Sequence, residues 1–132
     1  MSIKVKLVTP QKVLLEEQAD LVVVPGAEGE MGFEEGHAPL LSGLRVGEIR
    51  IHSGGESAHL ATSGGFVEAR PDRVVILAET AERASDIDLE RAQDSRRRAE
   101  DRLGRPTPDT DIERAQAALS RALNRLKIAE QK

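Results

Sequence analysis

Few side chains of this 132-residue chain can do chemistry, and arginine dominates them. Arg91, Arg98 and Arg102 recur at intervals of seven and then four, and so do Arg114, Arg121 and Arg125. With 3.6 residues per helical turn each trio falls within about 40° of arc, so each would form a basic stripe on a helix. A guanidinium fork suits bidentate contacts with phosphate or carboxylate. Two converging stripes could hold a phosphate-bearing ligand or dock on an acidic partner; the plainer reading is a pair of solvated faces. His37 stands in a loop before Ala38-Pro39, where a lone histidine is more often structural than a ligand or base. His52 and His59 flank a short connection as candidate cross-strand neighbours, and two imidazoles without a carboxylate are weak ground for a metal site. The sequence carries no cysteine nucleophile, no HExxH helix and no GxxxxGKS/T phosphate loop. Gly26, Gly29, Gly32 and Gly36 lack the order and the lysine of a phosphate cradle and read as turn formers.

Aromatic residues are 2% of the chain, so packing must rest on Val, Ile, Leu and Ala. The absence of cysteine excludes a disulfide framework and fits a reducing compartment. No apolar run approaches the roughly 20 residues that cross a bilayer, and the opening MSIKVKLVTP does not read as a targeting peptide. The expectation is a soluble cytoplasmic chain. A net charge of -4 with no basic terminal run argues against nucleic acid and against an anionic membrane surface, and the short apolar runs argue against direct membrane insertion.

The chain changes character near Ser85. Residues 1–85 hold 8 Lys/Arg against 13 Asp/Glu, net -5, and ten of the eleven glycines; residues 86–132 hold 11 against 10, net +1. Gly-rich turns between short Val/Ile/Leu runs predict strands. Candidates are Ile3 to Leu7, Val13 to Glu17, Asp20 to Val24, Met31 to Phe33, Glu48 to His52, Ser57 to Ala61, Gly65 to Arg70 and Arg73 to Ala78. The first domain, 1–85, is thus an antiparallel β-sandwich of about ten strands. The second, 86–132, is an antiparallel two-helix hairpin, with Leu89, Ala92, Ala99 and Leu103 on one stripe and Ile112, Ala115, Leu119, Ala122, Leu126 and Ala129 on the other. Gly104 to Pro108 breaks the helices apart, and Thr110 with Glu113 has the form of a capping box. Alanine stripes bury little area, so hairpin closure should be weak while each helix stays intrinsically good. A hairpin packed permanently on the sandwich is the simpler alternative.

PGAEGEMG followed by GHAPLL, then SGGFVE, then IDLERA and finally SRALNRLKIAE occur in the order and spacing of the epsilon subunit of bacterial F-type ATP synthases, which the whole chain resembles. Phe33-Glu34-Glu35 departs from the apolar pair and proline that many relatives have there. The resemblance implies a non-catalytic rotor subunit, peripheral on the cytoplasmic side of the bacterial membrane, with no obligatory cofactor. Its sandwich would bind the gamma subunit and rest on the c-ring, with Glu30 and His37 as the matching contact residues. Its hairpin would either fold down or extend to meet the alpha and beta subunits, where it inhibits ATP hydrolysis; Arg114, Arg121 and Arg125 match the contact with beta. Some members bind ATP as a regulatory ligand through an I(L)DxxRA motif, matched by Ile87, Asp88, Arg91 and Ala92. Arg121 and Arg125 match the completing arginines, with Glu82 and Arg98 as further candidates. Two other readings stay open: a purely structural epsilon with a fixed hairpin, and an unrelated β-sandwich ligand-binding module.

Overall fold

In the computed structural model, which describes residues 2–130, the alternation of Ile3, Val5 and Leu7 with lysines becomes β1 (Ile3–Val8). Met1, Gln131 and Lys132, at the ends of the two expected domains, lie outside the described residues. The strands continue as β2 (Val13–Ala19), β3 (Leu21–Gly26), β4 (Gly29–Phe33), β5 (Leu40–Leu44), β6 (Gly47–Ser53), β7 (Glu56–Thr62), β8 (Gly65–Ala69), β9 (Arg73–Ala78) and β10 (Ala81–Arg83). A short 3-10 turn (Ala84–Asp86) precedes helices α1 (Leu89–Gly104) and α2 (Ile112–Ala129). The chain divides into two units between Arg83 and Ala84.

The strand order is β10-β7-β6-β3-β5-β8-β9-β1-β2, with β4 on the other edge of β3. A single pair, Gly26 opposite Leu44, joins β3 to β5, so two sheets meet at one thin seam. Their inner faces interdigitate Val22, Ile49, Ile51 and Leu60 of one with Val5, Leu7, Val67 and Ile76 of the other, all essentially without solvent contact. Each such side chain contributes about 1.5–3 kcal/mol by leaving water. Phe33 is fully buried in this core, whereas Phe66 is exposed.

Three features differ from expectation. β1 pairs with β9 in parallel, although the other ladders are antiparallel; alternation of side chains sets which face is buried and carries no information about direction. β5 and the three-residue β10 fall outside the expected strands: LLSGL alternates nothing, its first two leucines being exposed and Gly43 having no side chain, and Ala81 to Arg83 are all half-buried. Finally, Thr110 does not cap α2. Asp111 is the cap, its carboxylate accepting from the Arg114 N–H at 3.0 Å, while Thr110 Oγ1 accepts from the Thr107 N–H and closes the inter-helix turn. A carboxylate one residue nearer the helix satisfies the orphan N–H and opposes the positive end of the helix dipole.

The two helices pack on each other along an alanine seam. Ala92 and Ala99 of α1 and Ala115, Ala122 and Ala129 of α2 are buried, as is Ile128. Leu103, Leu119 and Leu126 are half-buried, but Leu89 and Ile112, each the first residue of its helix, are exposed. A buried methyl contributes only about 0.8 kcal/mol, so the seam is weak compared with the sandwich core.

Candidate functional site

The I(L)DxxRA segment has mixed duties. Ile87 and Ala92 are buried, and Asp88 caps α1, its Oδ1 accepting from the Arg91 N–H at 3.1 Å. These three hold the helix start in place, whereas the Arg91 side chain is exposed. Because the helices run antiparallel, the first turn of α1 neighbours the last turns of α2, and the 3-10 turn before α1 packs on α2 as well. Arg91 therefore shares one end of the hairpin with Arg121, which is exposed, and Arg125, which is half-buried. Arg98 lies two turns farther along α1, about 10 Å, where its Nη2 donates to Ser95 Oγ at 3.2 Å. Arg114 stands beside the inter-helix turn, about 16 Å along the helix axis from Arg125. Glu82 belongs to β10 of the sandwich unit, opposite Ala61.

In the sandwich, Glu30 is the second residue of β4 and faces Pro25 across the β3–β4 hairpin. The turn between them depends on Gly26, where an added Cβ would sit 2.6 Å from the Gly29 carbonyl, and on Gly29 at φ 142. His37 follows the far end of β4. Its ring meets Phe33 edge-on with centroids 4.7 Å apart, and its Nδ1 donates to the Ala38 carbonyl at 2.6 Å. The preceding Gly36 N–H donates to Pro71 O at 2.7 Å, tying this loop to the β8–β9 turn. Glu30 and His37 thus stand at opposite ends of β4 and do not form one cluster.

The histidine pair is also separated by register. Arg50, not His52, is opposite His59; His52 is opposite Ser57 and hydrogen bonds with its Oγ at 2.7 Å. Among the described residues no three His, Cys, Asp or Glu side chains are grouped as a metal site would need. His59 instead donates from Nδ1 to Glu48 Oε2 at 3.2 Å, and the other Glu48 oxygen accepts from Arg50 at 3.1 Å. The hydrogen bond to Glu48, reinforced by the charges of Glu30 and Glu48 and opposed by burial, raises the Arg50 guanidinium above its ordinary range. It stays charged at every working pH.

A second surface was missed by motif reading. On the outer face of β5, β8 and β9, Leu41, Phe66 and Leu77 are 70%, 59% and 54% exposed. Phe66 stands directly between Gly43 and Leu77, so Phe66 and Leu77 form one exposed apolar pair, whereas Leu41 is opposite Glu68. A groove of about 340 Å³ beside it runs between Val8, Pro10, Phe66 and Leu77. Outward-facing alternate positions 66 and 77 were the available signal, hidden because an exposed apolar residue on a strand looks like a core residue.

Residues 2–84 match the beta-sandwich domain of the ATP synthase delta/epsilon chain, and residues 85–130 match its long alpha-helix domain. The chain is 48% identical over 127 residues to the ATP synthase epsilon chain of Desulforamulus reducens, covering 96% of both proteins. The chain belongs to the ATP synthase epsilon family. The epsilon chain of Pelotomaculum thermopropionicum is 50% identical over 128 residues, covering 97% of this chain and 96% of its own. That of Bacillus licheniformis is 45% identical over 128 residues, covering 97% and 98%. A chain of the Euglena gracilis mitochondrial ATP synthase, solved as an OSCP/F1/c-ring assembly, shares the fold with a TM-score of 0.83 at 23% identity, covering 99% of this chain and 82% of that one. The epsilon-family motifs acquire structural reasons here: Gly26 and Gly29 of PGAEGEMG shape the β3–β4 turn, the glycines of SGGFVE shape the entry to β8, and IDLERA starts α1. Among the described residues no helix is long and apolar enough to cross a membrane.

Proposed function

We propose that this chain is the epsilon subunit of the central stalk of a bacterial rotary ATP synthase, peripheral on the cytoplasmic side. Its sandwich grips the gamma subunit and meets the c-ring, and its helical hairpin restrains ATP hydrolysis at the alpha and beta subunits. The observation that carries the stalk role is the exposed apolar pair of Phe66 and Leu77, flanked by the exposed Leu41. Exposed apolar residues gathered on a rigid scaffold mark protein interfaces. Gamma is the partner assigned to this face. Both Phe66 and Leu77 point away from the core, so a Phe66→Glu, Leu77→Glu double variant should keep the melting temperature of the parent and lose co-purification with gamma. Co-purification at the parental level would rule this face out.

ATP is assigned to the hairpin as a regulatory ligand held by Arg91, Arg121 and Arg125, with the buried Ile87 and Ala92 and the capping Asp88 as scaffold. The support is that Arg91 of α1 and Arg121 and Arg125 of α2 stand at the same end of one hairpin, so a ligand bridging them stabilises the closed pair over the open one. Titration of ATP into the isolated chain should saturate. Arg91→Ala or Arg125→Ala should each weaken binding by roughly tenfold, the loss expected when one charge-assisted contact of about 1.5 kcal/mol is removed. Affinities equal to the parent in both variants would eliminate this arginine set. Arg114 and Arg121, exposed along α2, are assigned to the acidic surface of the beta subunit when the hairpin is extended, together with Arg125.

A further inference from the structure

On the outer face of the sheet a chain of charged side chains from β4, β6 and β7 reaches across β3. Arg50 Nη1 donates to Glu30 Oε2 at 2.9 Å and to Glu48 Oε1 at 3.1 Å, and Glu48 Oε2 accepts from His59 Nδ1 at 3.2 Å. The register explains the reach. Val23 of β3 lies between Gly32 of β4 and Arg50 of β6, so the arginine crosses β3 diagonally to Glu30, past a glycine that puts no side chain in its way. Exposure falls steadily along the chain: 55% for Glu30, 30% for Arg50, 22% for Glu48 and 18% for His59. One end meets solvent and the other is held.

An isolated exposed Glu–Arg pair orders two long side chains for little gain. Here the guanidinium is already held by Glu48, so fixing Glu30 costs less than in a free pair. The backbone beneath is fixed too. Glu30 is opposite Pro25, and Pro25 packs so closely over Gly47 that a Cβ at Gly47 would lie 2.5 Å from the Pro25 Cβ.

We propose that Arg50 is a positioning residue: clamped by Glu48 and, through it, by His59, it holds the Glu30 carboxylate in one orientation, so that the sandwich offers a pre-set acidic contact to the c-ring. This rests on the proposed c-ring contact of the sandwich and on Glu30 as the contact residue that the family resemblance implies. A pre-ordered side chain removes an ordering cost that binding otherwise has to meet, which is where Arg50 acts on affinity without touching the ring.

The test titrates full-length variants into membranes whose synthase lacks this subunit and reads the dissociation constant, with the melting temperature of each free variant as the check on folding. Arg50→Ala and Glu30→Gln should each weaken binding by roughly fivefold, the double variant should be no weaker than either single one, and Arg50→Lys should recover part of the loss. Should Arg50→Ala lower the melting temperature, Arg50→Gln takes its place in the cycle. Loss with Glu30→Gln but parental binding with Arg50→Ala overturns the positioning role and leaves the Glu30 contact standing. Multiplying losses in the double variant also overturn it, since the two residues would then act independently. Parental binding with Glu30→Gln removes the contact itself.

Discussion

Replacing Gly65 with alanine should destabilise the sandwich by about 3 kcal/mol or more, a fall of roughly 15 °C in its melting temperature. The reason is local and geometric. Gly65 adopts φ 142, a conformation L side chains rarely take, and an added Cβ would collide with the Leu77 carbonyl and lie 2.9 Å from the Ala78 Cα. Both are backbone atoms of β9, paired with β8, so neither can swing aside as a side chain could. The surrounding turn is already committed: the buried Thr62 hydroxyl donates to Thr80 O at 2.9 Å, and Gly64 O accepts from the Glu79 N–H at 2.9 Å. Gly43→Ala is the contrast, since a Cβ there would meet nothing within 4 Å and the substitution should be close to neutral. Thermal unfolding of the two variants beside the parent decides the matter; equal melting temperatures would show that the β8–β9 ladder yields more readily than its geometry implies.

Ending the chain after Asp86 should raise ATP hydrolysis by the assembled synthase roughly threefold or more, the ratio expected if about two-thirds of complexes are held blocked by the hairpin. The sandwich has its own buried core and its last strand ends at Arg83, so the truncation removes the helices without cutting into the first unit. The physical basis is the contrast in packing. The helices meet through Ala92, Ala99, Ala115 and Ala122, each contributing about 0.8 kcal/mol, while both keep their own aspartate caps and need no partner to begin. A pair held so lightly can separate and remain helical. Hydrolysis unchanged by the truncation would favour the fixed, structural hairpin instead.

The order of a β-sandwich followed by two helices, the identity of most strands and both helices were legible in the sequence, because solvent on one face and core on the other imposes a period of two on strands and 3.6 on helices. Ile3, Val5 and Leu7 announce β1, and Ala115, Ala122 and Ala129 announce the buried face of α2. The family was legible as well, since PGAEGEMG and SGGFVE demand glycine at positions such as Gly29 and Gly65, where the backbone excludes other residues. What periodicity cannot carry is the partner of each strand. The parallel β1–β9 pair, the unpatterned β5 and the placement of His59 opposite Arg50 depend on register between segments distant in sequence. The apolar face of Phe66 and Leu77 and the Glu30–Arg50–Glu48–His59 chain exist only once those registers are set. Local sequence determined which residues leave water; only the tertiary structure decided which of them meet.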